Sequence, residues 1–112
     1  MNFVKVYNKQ HLDDLNLDYC WSCNLHHKLA KAQKEQLERA VVKIGNEEGA
    51  ENNCTMGYKV HDKSVKVWFK EHEPQQELIA RRTTDRLLNL VNEKWTDSAR
   101  IIDPSKLDTC LV

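Results

Sequence analysis

The sequence predicts an α+β domain: a two-layer sandwich in the order β-α-β-β-α-(β), with two helices on one face of an antiparallel sheet. Two patterns carry this expectation. Apolar residues alternate with polar ones at the N-terminus and again over 56–69, the period of half-buried strands. Over 22–44 and 74–95 they recur every three to five positions, the period of amphipathic helices. A ferredoxin-like arrangement satisfies this order if the first and last strands pair centrally or beside the hairpin.

The first strand is Phe3-Val4-Lys5-Val6-Tyr7, with Phe3, Lys5 and Tyr7 on one face and Val4 and Val6 on the other. Residues 8–19 read as a connector with a helical turn at His11–Leu15. The first helix is expected from about Ser22 to Ile44, with Leu25, Leu29, Ala32, Leu37, Ala40, Val41 and Ile44 as its stripe. Ser22 or Asn24 supplies its N-cap and Gly45-Asn46 its stop. A hairpin follows: Met56, Tyr58 and Val60, then Val65, Val67 and Phe69, alternate around a turn at His61-Asp62-Lys63-Ser64. Pro74 suits the first turn of a second helix running to about Trp95, with Ala80, Thr84, Leu87, Leu88, Val91 and Trp95 inward. Ala99–Ile102 is a short last strand, and 103–112 read as a C-terminal tail of a single domain spanning 1–112.

Composition removes several function classes. Lys+Arg and Asp+Glu are 17 each, so no whole-protein field attracts phosphate backbones or anionic membranes. No apolar run approaches the ~20 residues of a membrane span. Met1–Tyr7 lacks a basic n-region and a long apolar core, which argues against a secretory leader. Four Cys without export signals then read as reduced thiols in a cytoplasmic protein. No nucleophile elbow, phosphate loop or HExxH is present, so catalysis is not expected.

Four constellations remain. Cys20-Trp21-Ser22-Cys23 with His27 places three zinc-ligating groups at the expected helix entrance, so zinc is the one cofactor considered, held by Cys20, Cys23 and His27. The same strand-then-CxxC layout resembles thioredoxin and glutaredoxin over four residues. The resemblance would imply thiol redox chemistry, but neither Pro74 nor Pro104 stands where that family's proline faces the motif. Nucleic acid is a third possibility: Lys59, His61, Lys66, Trp68 and Lys70 share the polar face of the hairpin, where an indole can stack a base. Arg81, Arg82 and Arg86 form a second basic cluster on the last helix.

The leading expectation is the fourth, a protein interface. An outward Trp68 flanked by Lys59, His61, Lys66 and Lys70 has the residue types that anchor partners, and Arg82 and Arg86 of the last helix are counted with them as partner-binding residues. On this view the chain is a small binding or regulatory protein, engaging a protein partner or forming a homodimer, of the kind common among accessory proteins of phages, plasmids and other mobile elements. Nucleic-acid binding through the outer sheet face and a zinc-stabilised domain stand as the alternatives.

Overall fold

The computed structural model describes residues 2–95 and 100–102. The chain is an α+β domain with the elements β1 (Asn2–Lys5), α1 (Lys9–Leu15), β2 (Tyr19–Asn24), α2 (Lys31–Glu48), β3 (Thr55–Val60), β4 (Ser64–Phe69), α3 (Pro74–Trp95) and β5 (Arg100–Ile102). The sheet order is β1-β3-β4-β2-β5. β2, β3, β4 and β5 pair antiparallel, whereas β1 runs parallel to β3 at the edge. The sheet is therefore mixed rather than purely antiparallel. The expected first strand is β1, and α1 and β2 stand between it and the expected first helix, so the observed order is β-α-β-α-β-β-α-β; β2 to β5 with α2 and α3 are compatible with a ferredoxin-like arrangement. The expected tail at 103–112 lies outside the described residues.

The elements form for local reasons. Asn8 caps α1 by accepting a hydrogen bond from the His11 amide (2.9 Å), and Asn16 ends it in the left-handed region, φ 56°. Gln33 accepts from the Ala30 amide at the start of α2 (2.9 Å). Ile79, Ala80, Thr83, Thr84, Leu87 and Val91 line the buried side of α3. Its two buried threonines donate back to the Ile79 and Ala80 carbonyls, leaving no unsatisfied hydroxyl.

Three departures from the sequence expectation share one cause, packing that sequence period does not reveal. Residues 19–24 are a strand, not a connector leading into a helix. β2 lies between β4 and β5, and Cys20, Trp21, Ser22 and Cys23 are all buried, so the alternation that marks half-buried strands is erased. Leu25 and Leu29 belong to the core but sit in a loop, where their amides bond the Lys63 and Asp62 carbonyls (2.8 and 2.7 Å). Gly45 is not a helix stop. It lies buried inside α2 because the Phe3 ring rests on it, 2.6–2.9 Å from where a Cβ would be.

Two apolar clusters hold the domain. The larger joins the sheet to α2 and α3 and includes Leu37, Val41, Met56, Val65, Val67, Phe69, Ala80, Leu87 and Val91. The second lies on the opposite face, where α1 and its flanking segments place Val6, Leu12 and Leu17 over Cys20 and Trp68. Trp68 is only 2 % exposed. The expectation of an open outer face bearing that indole is thus corrected: the indole lies on the predicted face, but α1 covers it. Gly57, paired opposite Trp68, makes room for this cover, since a Cβ there would stand 2.6 Å from Val6 Cγ2 and 3.0 Å from Leu17 Cδ1.

Trp68→Ala should therefore cost about 3–5 kcal/mol in chemical denaturation, the range for a large core truncation; a loss below about 1 kcal/mol would contradict its burial. Gly57→Ala should cost about 1–3 kcal/mol through overpacking beneath Val6. A neutral outcome there would show that the segments flanking α1 do not press on β3 as described.

Candidate functional site: a basic groove at the hairpin turn

Cover by α1 divides the outer face of the sheet. The half beneath α1 is apolar. The half nearer the β3–β4 turn carries Lys59, His61, Ser64 and Lys66, because alternation sends Val60 and Val65 to the helix side. Lys59 and Lys66 are direct cross-strand partners. Like charges so placed repel, and the strands hold them together nonetheless. Ser22 of β2 continues the row beyond Lys66 and donates to Asn24 (2.7 Å).

A groove of about 640 Å³ opens here, lined by Lys34, Lys59, Val60, His61, Asp62, Lys63, Ser64 and Lys66. Its walls are fixed by backbone. The His61 amide donates to the Ser64 carbonyl (2.7 Å), closing the turn, while Leu25 and Leu29 tie the turn to the loop before α2. Lys34, near the start of α2, ion-pairs with Asp62, and Lys28 lies 3.8 Å from the same carboxylate. These lysines, the hydrogen bond from Lys34 foremost, hold the Asp62 carboxyl below its usual range. The Lys59 ammonium reaches the Tyr7 carbonyl at 3.4 Å.

Charge crowding shows in the titrating groups. Partial burial, then the neighbouring Lys66, Lys59 and Lys34, lowers His61 from 6.5 to about 4, against a smaller opposing pull from Asp62. His61 is therefore neutral at physiological pH, and its Nε2 is buried with no hydrogen-bond partner among the described residues. Burial first, then Lys59, also lowers Lys66.

The structure sorts the residues singled out from sequence. It brings Lys59, His61 and Lys66 together and adds Lys34 and Lys63, which sequence reasoning passed over as ordinary helix-surface and turn residues. Trp68 is core. Lys70 follows the opposite end of β4, where its amide donates to Gln76 (3.1 Å). Arg82 and Arg86 lie on α3, across the sheet from the groove, and Arg86 pairs with Glu47 at 2.7 Å. Arg81 stacks 4.5 Å from the Trp21 ring centroid and lies 3.6 Å from Asp85.

The zinc expectation at Cys20, Cys23 and His27 is likewise corrected. Three residues apart on a strand, Cys20 and Cys23 point to opposite faces and enter different clusters, and His27 is exposed in the following loop. Among the described residues no group of three or more His, Cys, Asp or Glu side chains is placed to hold a metal ion. Cys20 is disulfide-bonded, which corrects the expectation of reduced thiols at that position, whereas the Cys54 thiol is free. No helix among the described residues is long and apolar enough to cross a membrane.

The chain matches no protein-family model, no curated protein and no solved structure.

The depressed His61 pKa gives a signed pH effect. Between about pH 6.5 and 4 the unfolded chain binds a proton at this residue that the folded protein does not. Its contribution is therefore complete above 6.5 and lost as pH falls towards 4. His61→Gln should flatten the fall of Tm across that window relative to the parent. Parallel Tm–pH curves for the two proteins would contradict the assignment.

Proposed function

We propose that this chain is a non-catalytic binding module whose groove at the β3–β4 turn takes an acidic segment of a protein partner. The observation that supports this best is the direct pairing of Lys59 with Lys66, in a concavity that also gathers Lys34, Lys63 and His61 around the Asp62 carboxylate. A like-charge cross-strand pair works against the hairpin in isolation. An acidic ligand converts that repulsion into attraction, so the arrangement suits recognition better than stability.

A protein segment fits better than a nucleic acid. Among the described residues no aromatic side chain lines the groove, and the indole that could have stacked a base is buried beneath α1. The arginines that could extend a phosphate track lie on α3, across the sheet. Lysines confined to one hairpin end match a short acidic stretch.

Fluorescence anisotropy with a labelled Glu/Asp-rich dodecapeptide tests this, beside a Gly/Ser dodecapeptide of equal length and a mixed single-stranded oligonucleotide. The acidic peptide should bind, weaken with salt, and lose about tenfold or more affinity when Lys59 and Lys66 are both changed to Glu. Equal binding of acidic and neutral peptides, or tighter binding of the oligonucleotide, would overturn the proposal.

A further inference from the structure

The sheet ends at β1, and its far edge is open. β1 pairs with β3 on one side, where the Asn2 and Val6 amides donate to the Cys54 and Tyr58 carbonyls (2.9 Å each). Alternation along the strand turns the main-chain groups of Phe3 and Lys5 away from β3, and among the described residues no strand meets them. Such edges recruit further strands unless a proline, a bulge or a cover blocks them. β1 carries no proline, and its one charged side chain, Lys5, is turned onto Glu38 of α2 (3.2 Å).

The helix above this edge indicates which strand fits. Phe3 rests on Gly45 and Lys5 reaches Glu38, so α2 runs antiparallel over β1, while Glu47 holds Arg86 of α3 on the other side of the helix. The side of α2 turned to the edge lines an open groove of about 440 Å³ with Glu35, Glu38, Arg39, Val42 and Lys43, beside Tyr58 of β3. Its charges run in order along the helix, acids first and bases after. Glu35, Arg39 and Lys43 make no ion pair among the described residues. A face of this kind complements itself when reversed.

We infer that this edge takes a second copy of the chain: the two β1 strands pair antiparallel about a two-fold axis at Val4, with Phe3 of each opposite Lys5 of the other. The sheet then continues through both copies, and the two α2 helices lie side by side on one face of it, in opposite directions. Reversal brings the Glu35–Glu38 end of one α2 to the Lys43 end of the other, with Val42 nearest the axis. With 17 basic and 17 acidic residues in the chain, the copies carry no net charge to keep them apart. A strand of four residues and one helix face make a small interface, so the expected dissociation constant is on the order of 10–100 µM. The lysine groove at the β3–β4 turn takes no part in this contact.

Sedimentation velocity of the intact protein from about 5 to 500 µM should show monomer giving way to dimer. Glu35→Lys and Lys43→Glu, both at exposed positions, should each weaken the dimer by about fivefold or more. An equimolar mixture of the two variants should recover it, because each reversed charge then meets its opposite. Changing Lys59 and Lys66 to Glu should leave the dimer intact, which keeps this contact separable from peptide binding. In the unaltered protein, amide exchange at Phe3 and Lys5 should slow as concentration rises, a readout that needs no variant. Monomer at every concentration overturns the proposal, and so does a dimer in which the Phe3 and Lys5 amides gain no protection. Variants that each dimerise as tightly as the parent, or a mixture no tighter than its components, overturn the side-by-side placement of α2.

Discussion

The structure depends on covering the indole of Trp68. The strand that carries it must turn Val65, Val67 and Phe69 towards α2 and α3, so Trp68 faces the other way. A tryptophan brings the largest apolar surface of any side chain, and leaving it in water would forgo a large part of this hairpin's burial. The chain solves this before the sheet is complete. β1 runs parallel to β3, the Asn8-capped α1 turns back over the outer face, and Val6, Leu12 and Leu17 close on the ring beside Cys20. Gly57 clears the space in which they meet β3.

One short helix cannot cover a five-stranded sheet. α1 has seven residues and shields the end of the outer face that holds Trp68 and Cys20, and the turn end of the hairpin keeps a polar surface of another kind. There the strands place Lys59 against Lys66, and the loop before α2 holds the turn by its carbonyls while Lys34 reaches Asp62. Among the described residues, one acidic side chain lines a groove of four lysines and a histidine. The chain as a whole is uncharged, so this local excess is a matter of placement rather than composition.

How much of this the sequence discloses follows from what each element exposes. The β3–β4 hairpin and α3 are legible because each has one wet and one dry side, so its period survives in the residue order. β2 is illegible for the opposite reason: buried on both faces, it reads as a run of small and aromatic residues. Leu25 and Leu29 then extend the α2 stripe backwards through a loop that has no helical hydrogen bonding to support it. For the site, parity along the hairpin was enough to group Lys59, His61 and Lys66, and it placed Trp68 on the correct face. That the indole is covered depends on how residues 6–17 fold back, and that Lys34 joins the groove depends on where α2 ends against the turn. Neither is written in a local pattern. The CxxC spacing makes a ligand pair only where it flanks a helix; on a strand the same spacing separates the thiols onto opposite faces.

The central claim is a division of labour on one sheet face, with an α1-covered half that stabilises and a lysine-lined half that binds. Backbone amide chemical-shift mapping during titration with an acidic peptide tests it most directly. The account predicts shifts concentrated at Lys59–Lys66 and at Lys34, with Leu12, Leu17 and the α3 arginines unmoved. Shifts centred on α1 or α3 would contradict it.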